Sequence, residues 1–120
     1  MATALLLIAH GSRQPEANAD LHRVADQIRT AGHYAIVVPS YLELAEPTIE
    51  AGGSQCVEAG ASRVVMVPYF LAAGVHVRRD LAAARDALDA AFPMVSFQLA
   101  EPLGPHPLLT RIVLERAGQV

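Results

Sequence analysis

The sequence contains no lysine, no tryptophan and one cysteine, and aromatic residues make up only 5% of it. Each shortage removes a class of function. A lone Cys56 cannot close an internal disulfide, nor supply by itself the thiolates of a structural zinc site or an iron–sulfur cluster, so any metal must be held by histidine and carboxylate. All nine basic residues are arginines, which grip carboxylates and phosphates through paired donors, and a formal net charge of -3 argues against a general nucleic-acid surface. No apolar run approaches the ~18 residues that span a bilayer. The opening MATALLLIAH has neither a basic leader nor a small-residue cleavage pattern. The expectation is a soluble, cytoplasmic protein with no nucleic-acid or membrane partner.

What is present suffices for a core. With 120 residues, 52% of them hydrophobic, one domain over residues 1–120 is expected. A buried strand suits Ala4–Ala9, and residues 16–30 repeat apolar positions (Ala17, Leu21, Val24, Ala25, Ile28) at helical spacing before Gly32. Tyr34–Val38 reads as a second strand, and Pro47–Gly60 as a helix weakened by Gly52 and Gly53. Arg63–Pro68 reads as a strand, Arg78–Ala91 as a helix, Met94–Leu99 as a strand and Pro107–Ala117 as a helix. Four alternating βα units predict an α/β fold, a parallel sheet with helices on both faces. In a flavodoxin-like winding the strand order is 2-1-3-4, and ligands bind beyond the carboxyl ends of the first and third strands.

Three ionisable residues fall at those ends: His10 in IAHGSR, Glu43 past the second strand, and His76 in the loop YFLAAGVH. Two imidazoles and a carboxylate suit Co²⁺, Ni²⁺, Fe²⁺ or Zn²⁺ and leave positions open for exchange. His10 alone reads first as a polar cap that satisfies a loop carbonyl; His76 in company makes a site the better reading. Glu43 alone fits a solvated carboxylate as well, and Glu46, before Pro47, belongs near the dipole of the second helix. His22 and His33 read as surface residues. His106, between two prolines, enters the last helix with Pro107 at its first position, or lines a pocket. Arg13, Arg78 and Arg79 stand near helix N-termini, where a multiply charged acid can dock, with Ser12 a possible donor. Arg78 and Arg79 are otherwise ordinary solvated charges, with Asp80 helping to cap the helix. Tyr69, Phe70, Leu71 and Val75 make an apolar loop, fit to cover a flat ligand or to pack in a dimer.

Four stretches in this order, LLIAHGSRQPEAN, YLELAEPTI, RVVMVPYFLAAGVHVRRDL and LAEPLGPHPLL, resemble the small class II tetrapyrrole chelatases of the CbiX and SirB type. Enzymes of that family insert Co²⁺, Fe²⁺ or Ni²⁺ into sirohydrochlorin or a related macrocycle. The resemblance implies a flavodoxin-like chelatase half-domain and a homodimer with the tetrapyrrole between its halves. It implies that His10, His76 and Glu43 are the catalytic and metal-binding residues. No tightly bound cofactor is implied, the metal being a substrate. Two other readings compete: a non-catalytic metal- or tetrapyrrole-binding half-domain, and a histidine phosphatase. The second requires an arginine before the histidine, where this chain has Ala9.

Overall fold

Alternation along the strands decides the layering. In a computed structural model, which describes residues 2–120, the elements run β1 (Ala2–Ala9), α1 (Pro15–Ala31), β2 (Ile36–Tyr41), α2 (Ile49–Glu58), β3 (Ala61–Pro68), α3 (Val75–Ala91), β4 (Ser96–Leu99) and α4 (Pro107–Ala117). All pairings are parallel, in the order β2-β1-β3-β4. Successive side chains on a strand point to opposite faces. Ala4, Leu6 and Ile8 therefore join Val64, Met66 and Phe97 beneath α2 and α3, while Leu5 and Leu7 join Val37 and Tyr41 beneath α1. Each fully buried aliphatic side chain contributes about 1.5–3 kcal/mol.

The expected fold class and strand order hold. The differences lie at element ends, and each has a local cause. β2 extends to Tyr41 rather than stopping at Val38, because it is an edge strand in which proline is tolerated. Leu42 N donates to Ala9 O at 2.9 Å while Tyr41 N turns the other way, to Pro47 O at 2.9 Å. By alternation the nitrogen of Pro39 faces the open edge, where no ladder bond is lost. At the opposite edge, Phe97 N donates to Asp89 Oδ1 at 3.2 Å. β4 begins at Ser96, two residues later than expected, with Met94 92% exposed.

The second helix is shorter than the expected Pro47–Gly60, starting after Thr48, whose Oγ1 accepts from Ala51 N at 3.1 Å. Its two glycines are not mere weakness. A Cβ on Gly52 would stand 2.8 Å from Leu6 Cδ1, and one on Gly53 2.6 Å from Leu88 Cδ2, so their absence lets α2 lie close on β1 and α3. The third helix begins at Val75, not Arg78, because Gly74 serves as its N-cap without any side-chain bond. Asp80 is therefore no cap but lies inside the helix.

Cys56 is completely buried on α2, and burial pushes its thiol from 9.0 up to about 11. The folded state then holds this proton more tightly than the unfolded chain. Its stabilising contribution is intact below pH 9.0 and is lost as pH climbs towards 11. Denaturant midpoints measured across that window should fall more steeply for the parent protein than for Cys56→Ala. The native thiol should also react with an aromatic disulfide far more slowly than the unfolded one.

Candidate active site at the carboxyl rim

The sheet's ladder continues past the strand ends, and this places the candidate residues. Leu42 N bonds to Ala9 O, Glu43 N donates to His10 O at 3.0 Å, and on the other flank Tyr69 N donates to Ile8 O at 2.7 Å. His10 thus stands between Glu43 and the segment Tyr69–Phe70. Its ring lies over Phe70, with centroids 4.2 Å apart and a 33° tilt, and Phe70 is itself buried. Among the described residues no protein hydrogen bond engages either nitrogen of the His10 ring, so it satisfies no loop carbonyl. The aromatic floor orients the imidazole and leaves its chemistry open.

Gly11 is the reason this approach is possible, and sequence reasoning passed over it. Its φ is +93°, and a Cβ there would stand 1.7 Å from Glu43 O and 2.9 Å from Glu43 C. Next in the chain, Ser12 Oγ accepts from Gln14 N at 3.0 Å, while Asn18 clamps the turn: Ser12 N donates to Asn18 Oδ1 at 2.9 Å and Asn18 Nδ2 donates to Ser12 O at 2.8 Å. Asn18 O in turn accepts from Tyr41 OH at 2.7 Å. Burial raises the Tyr41 phenol above its ordinary value and keeps it a donor.

His10 and Glu43 share a cleft of about 420 Å³, with Glu50 and Asp80 beside apolar Leu42, Ile49 and Val77. Glu50 was not named from the sequence and Asp80 was read only as a helix cap, although Asp80 stands four residues after His76 and so shares its helix face. His76, expected in a loop, occupies the first turn of α3, exposed, and does not line the cleft. Among the described residues no three histidine, cysteine or carboxylate side chains are gathered tightly enough to hold a metal. His10 and Glu43 are brought together; His76 stands one helical turn from Asp80 on the same helix. A larger groove of about 800 Å³ lies at the amino ends of the strands, between Thr3, Ile28 and Arg63. It offers His33 but no carboxylate, so the donor set favours the smaller cleft.

The arginines divide. Arg78 pairs with Glu101 at 3.4 Å and donates from Nε to Ala73 O at 3.2 Å. Arg13 and Arg79 are exposed and, among the described residues, make no side-chain hydrogen bond. Tyr69, Leu71 and Val75 are 39%, 70% and 64% exposed, forming an apolar lip beyond buried Phe70. His22 and His33 are exposed, as expected. His106 caps α4, its Nδ1 accepting from Leu108 N at 3.1 Å, with Pro107 as the first helical residue.

The family model for CbiX matches residues 4–120 of this sequence. The chain belongs to the CbiX family. The CbiX chain is 37% identical over 115 residues to the chloroplastic sirohydrochlorin ferrochelatase of Arabidopsis thaliana, covering 96% of this chain and 51% of that one. Its fold matches that of the sirohydrochlorin chelatase SirB from Bacillus subtilis subspecies spizizenii, solved in complex with cobalt, with a TM-score of 0.91 and 27% identity over all of this chain and 51% of the other. A CbiX protein from Marinobacter aquaeolei VT8 matches with a TM-score of 0.82 and 30% identity, over 98% of this chain and 95% of that one. The CbiX chain thus spans about half the length of both chelatases. No helix among the described residues is long and apolar enough to cross a membrane.

Proposed function

We propose that residues 1–120 act as one CbiX-type domain that, as a homodimer, inserts a divalent metal ion, Co²⁺, Fe²⁺ or Ni²⁺, into sirohydrochlorin or a related tetrapyrrole. The observation that carries this reading is His10, fixed on Phe70 with neither ring nitrogen hydrogen-bonded among the described residues, and bonded through its backbone to Glu43 at the edge of a carboxylate-bearing cleft. Insertion exchanges one M²⁺ for two pyrrole protons, so the site must deliver a metal and receive protons. An imidazole does either near neutral pH, its reference pKa being ~6.5. Under this proposal His10 and His76 divide metal delivery and proton acceptance, and Glu43 balances charge or passes protons to solvent.

The apolar lip of Tyr69, Leu71 and Val75 supports a flat macrocycle beside His10. Sirohydrochlorin bears eight carboxylates, and in this reading Arg13, Arg78, Arg79 and the Ser12 hydroxyl receive them. Arg13 and Arg79 are the freer donors; Arg78 must first release Glu101. The test is the absorbance of free-base sirohydrochlorin after each metal is added, with and without protein. Faster loss with protein for at least one metal supports the proposal; equal rates for all three overturn it. Retention of bound metal or tetrapyrrole without acceleration would favour a non-catalytic binding half-domain. Glu43→Gln should leave the melting temperature close to the parent's, since the side chain is exposed, and should slow insertion by less than either histidine substitution.

A further inference from the structure

Three glycines, Gly11, Gly32 and Gly60, take left-handed backbone, and among the described residues one residue with a side chain does so too: Leu44, with φ of 65°. In that conformation an L residue crowds its Cβ against the following carbonyl oxygen, and glycine, asparagine or aspartate ordinarily fills such a position. Leucine here carries a second cost, since its side chain is 54% exposed. Its neighbours Leu42 and Ala45 pack on the two buried clusters, one on each face of the sheet, and Leu44 joins neither. The core therefore offsets neither cost.

The backbone accounts for the conformation but not for the residue. Leu42 N and Glu43 N donate to Ala9 O and His10 O, Glu43 O occupies the space that a Cβ on Gly11 would need, and beyond the turn Pro47 O accepts from Tyr41 N. The chain must reverse between those pins, and a left-handed residue achieves it. Glycine would do the same without strain and without exposing apolar surface.

Placement supplies a reason for the leucine. Leu44 stands one residue, about 3.8 Å, beyond Glu43, and outside the carboxylate-bearing cleft that Glu43 lines. The strand order puts it on the β2 flank of His10, while Tyr69, Leu71 and Val75 make the exposed apolar lip on the β3 flank. Those flanks are two strand spacings apart, about 10 Å. Carboxylates thus gather in the cleft, and exposed apolar side chains stand on both sides of the imidazole.

We propose that Leu44 is a macrocycle-binding residue, the second of two apolar jaws that hold the tetrapyrrole at His10, facing the lip across the rim. This assignment rests on the tetrapyrrole reading above and adds a contact to it. A second copy of the chain could also cover an exposed leucine. The macrocycle is favoured because the two apolar flanks bracket an imidazole whose ring has no hydrogen-bond partner among the described residues, with exposed Arg13 three residues further on to meet a carboxylate.

Leu44→Asn separates the contact from the backbone, because asparagine has nearly the shape of leucine and tolerates left-handed φ. The variant should melt no lower than the parent. Its equilibrium binding of free-base sirohydrochlorin, titrated by absorbance without metal, should weaken about ten- to hundred-fold, the effect of one leucine side chain buried by a ligand. Leu44→Met, which stays apolar at similar volume, should bind within about three-fold of the parent. In the insertion assay the KM of Leu44→Asn should rise for sirohydrochlorin and not for the metal. Parental affinity in Leu44→Asn, or equal losses in the Asn and Met variants, would overturn the assignment and leave the chelatase reading standing. So would a lower sedimentation coefficient for ligand-free Leu44→Asn, which would make Leu44 a subunit contact. A parent that binds no sirohydrochlorin would remove the tetrapyrrole reading itself, and this contact with it.

Discussion

His10→Ala is expected to slow metal insertion into sirohydrochlorin by about 10²–10⁴-fold, with melting within about 2 °C of the parent. The kinetic effect is large because the imidazole is the ionisable group best placed at the rim, its ring seated on Phe70 and its backbone carbonyl holding Glu43. Alanine keeps both backbone bonds, so the cleft retains its shape while losing the imidazole to which the proposed function assigns metal delivery or proton acceptance. The stability effect is small because His10 is exposed and, among the described residues, its ring makes no protein hydrogen bond. Stopped-flow absorbance read beside a thermal melt separates the two. A variant with parental rates would remove His10 from the chemistry. His76→Ala should fall in the same kinetic range. Added imidazole should restore part of the rate at whichever position serves as proton acceptor, and a saturating metal concentration should restore part of it at the position that delivers metal.

Gly11→Ala should be the most disruptive single-methyl change at the rim, lowering stability by about 2–4 kcal/mol and insertion along with it. Two terms act together. A φ of +93° is a backbone conformation that L side chains rarely adopt, and the added Cβ would stand 1.7 Å from a backbone oxygen, with no rotamer to turn away. The segment at Glu43 must shift, and with it the bond from Glu43 N to His10 O. Urea unfolding followed by Tyr fluorescence checks the first effect and the sirohydrochlorin assay the second. Gly32→Ala is the control: its φ is +89° but nothing lies within 4 Å, so it carries the backbone term without the collision and should leave insertion near the parental rate.

The sheet was legible because its strands are short apolar runs separated by helical periods, and parallel pairing leaves few ways to join them. The ends were less so. Pro39 reads as a strand terminator until its strand is known to be an edge, and the start of α3 bears no Ser, Thr or Asp to announce it, only Gly74. The site divides along the same line. His10 and Glu43 follow directly from strand ends, so topology alone brings them together. His76 depended on where a helix began, and Glu50 and Asp80 became visible only once α2 and α3 were laid against the same cleft. Gly11 carried no chemical signal in the sequence, since its importance lies in a contact with a residue 32 positions away.

The outward nitrogens of the two edge strands have a consequence for solubility. A sheet edge recruits a foreign strand through a row of free N–H groups. On β2 that row is broken at Pro39, which has no hydrogen to give, and at Tyr41, whose N–H is already bonded to Pro47 O. On β4 the N–H of Phe97 is taken by Asp89. Each border therefore presents a shorter run of free donors than its length allows, which is one way an edge strand resists pairing with a foreign sheet.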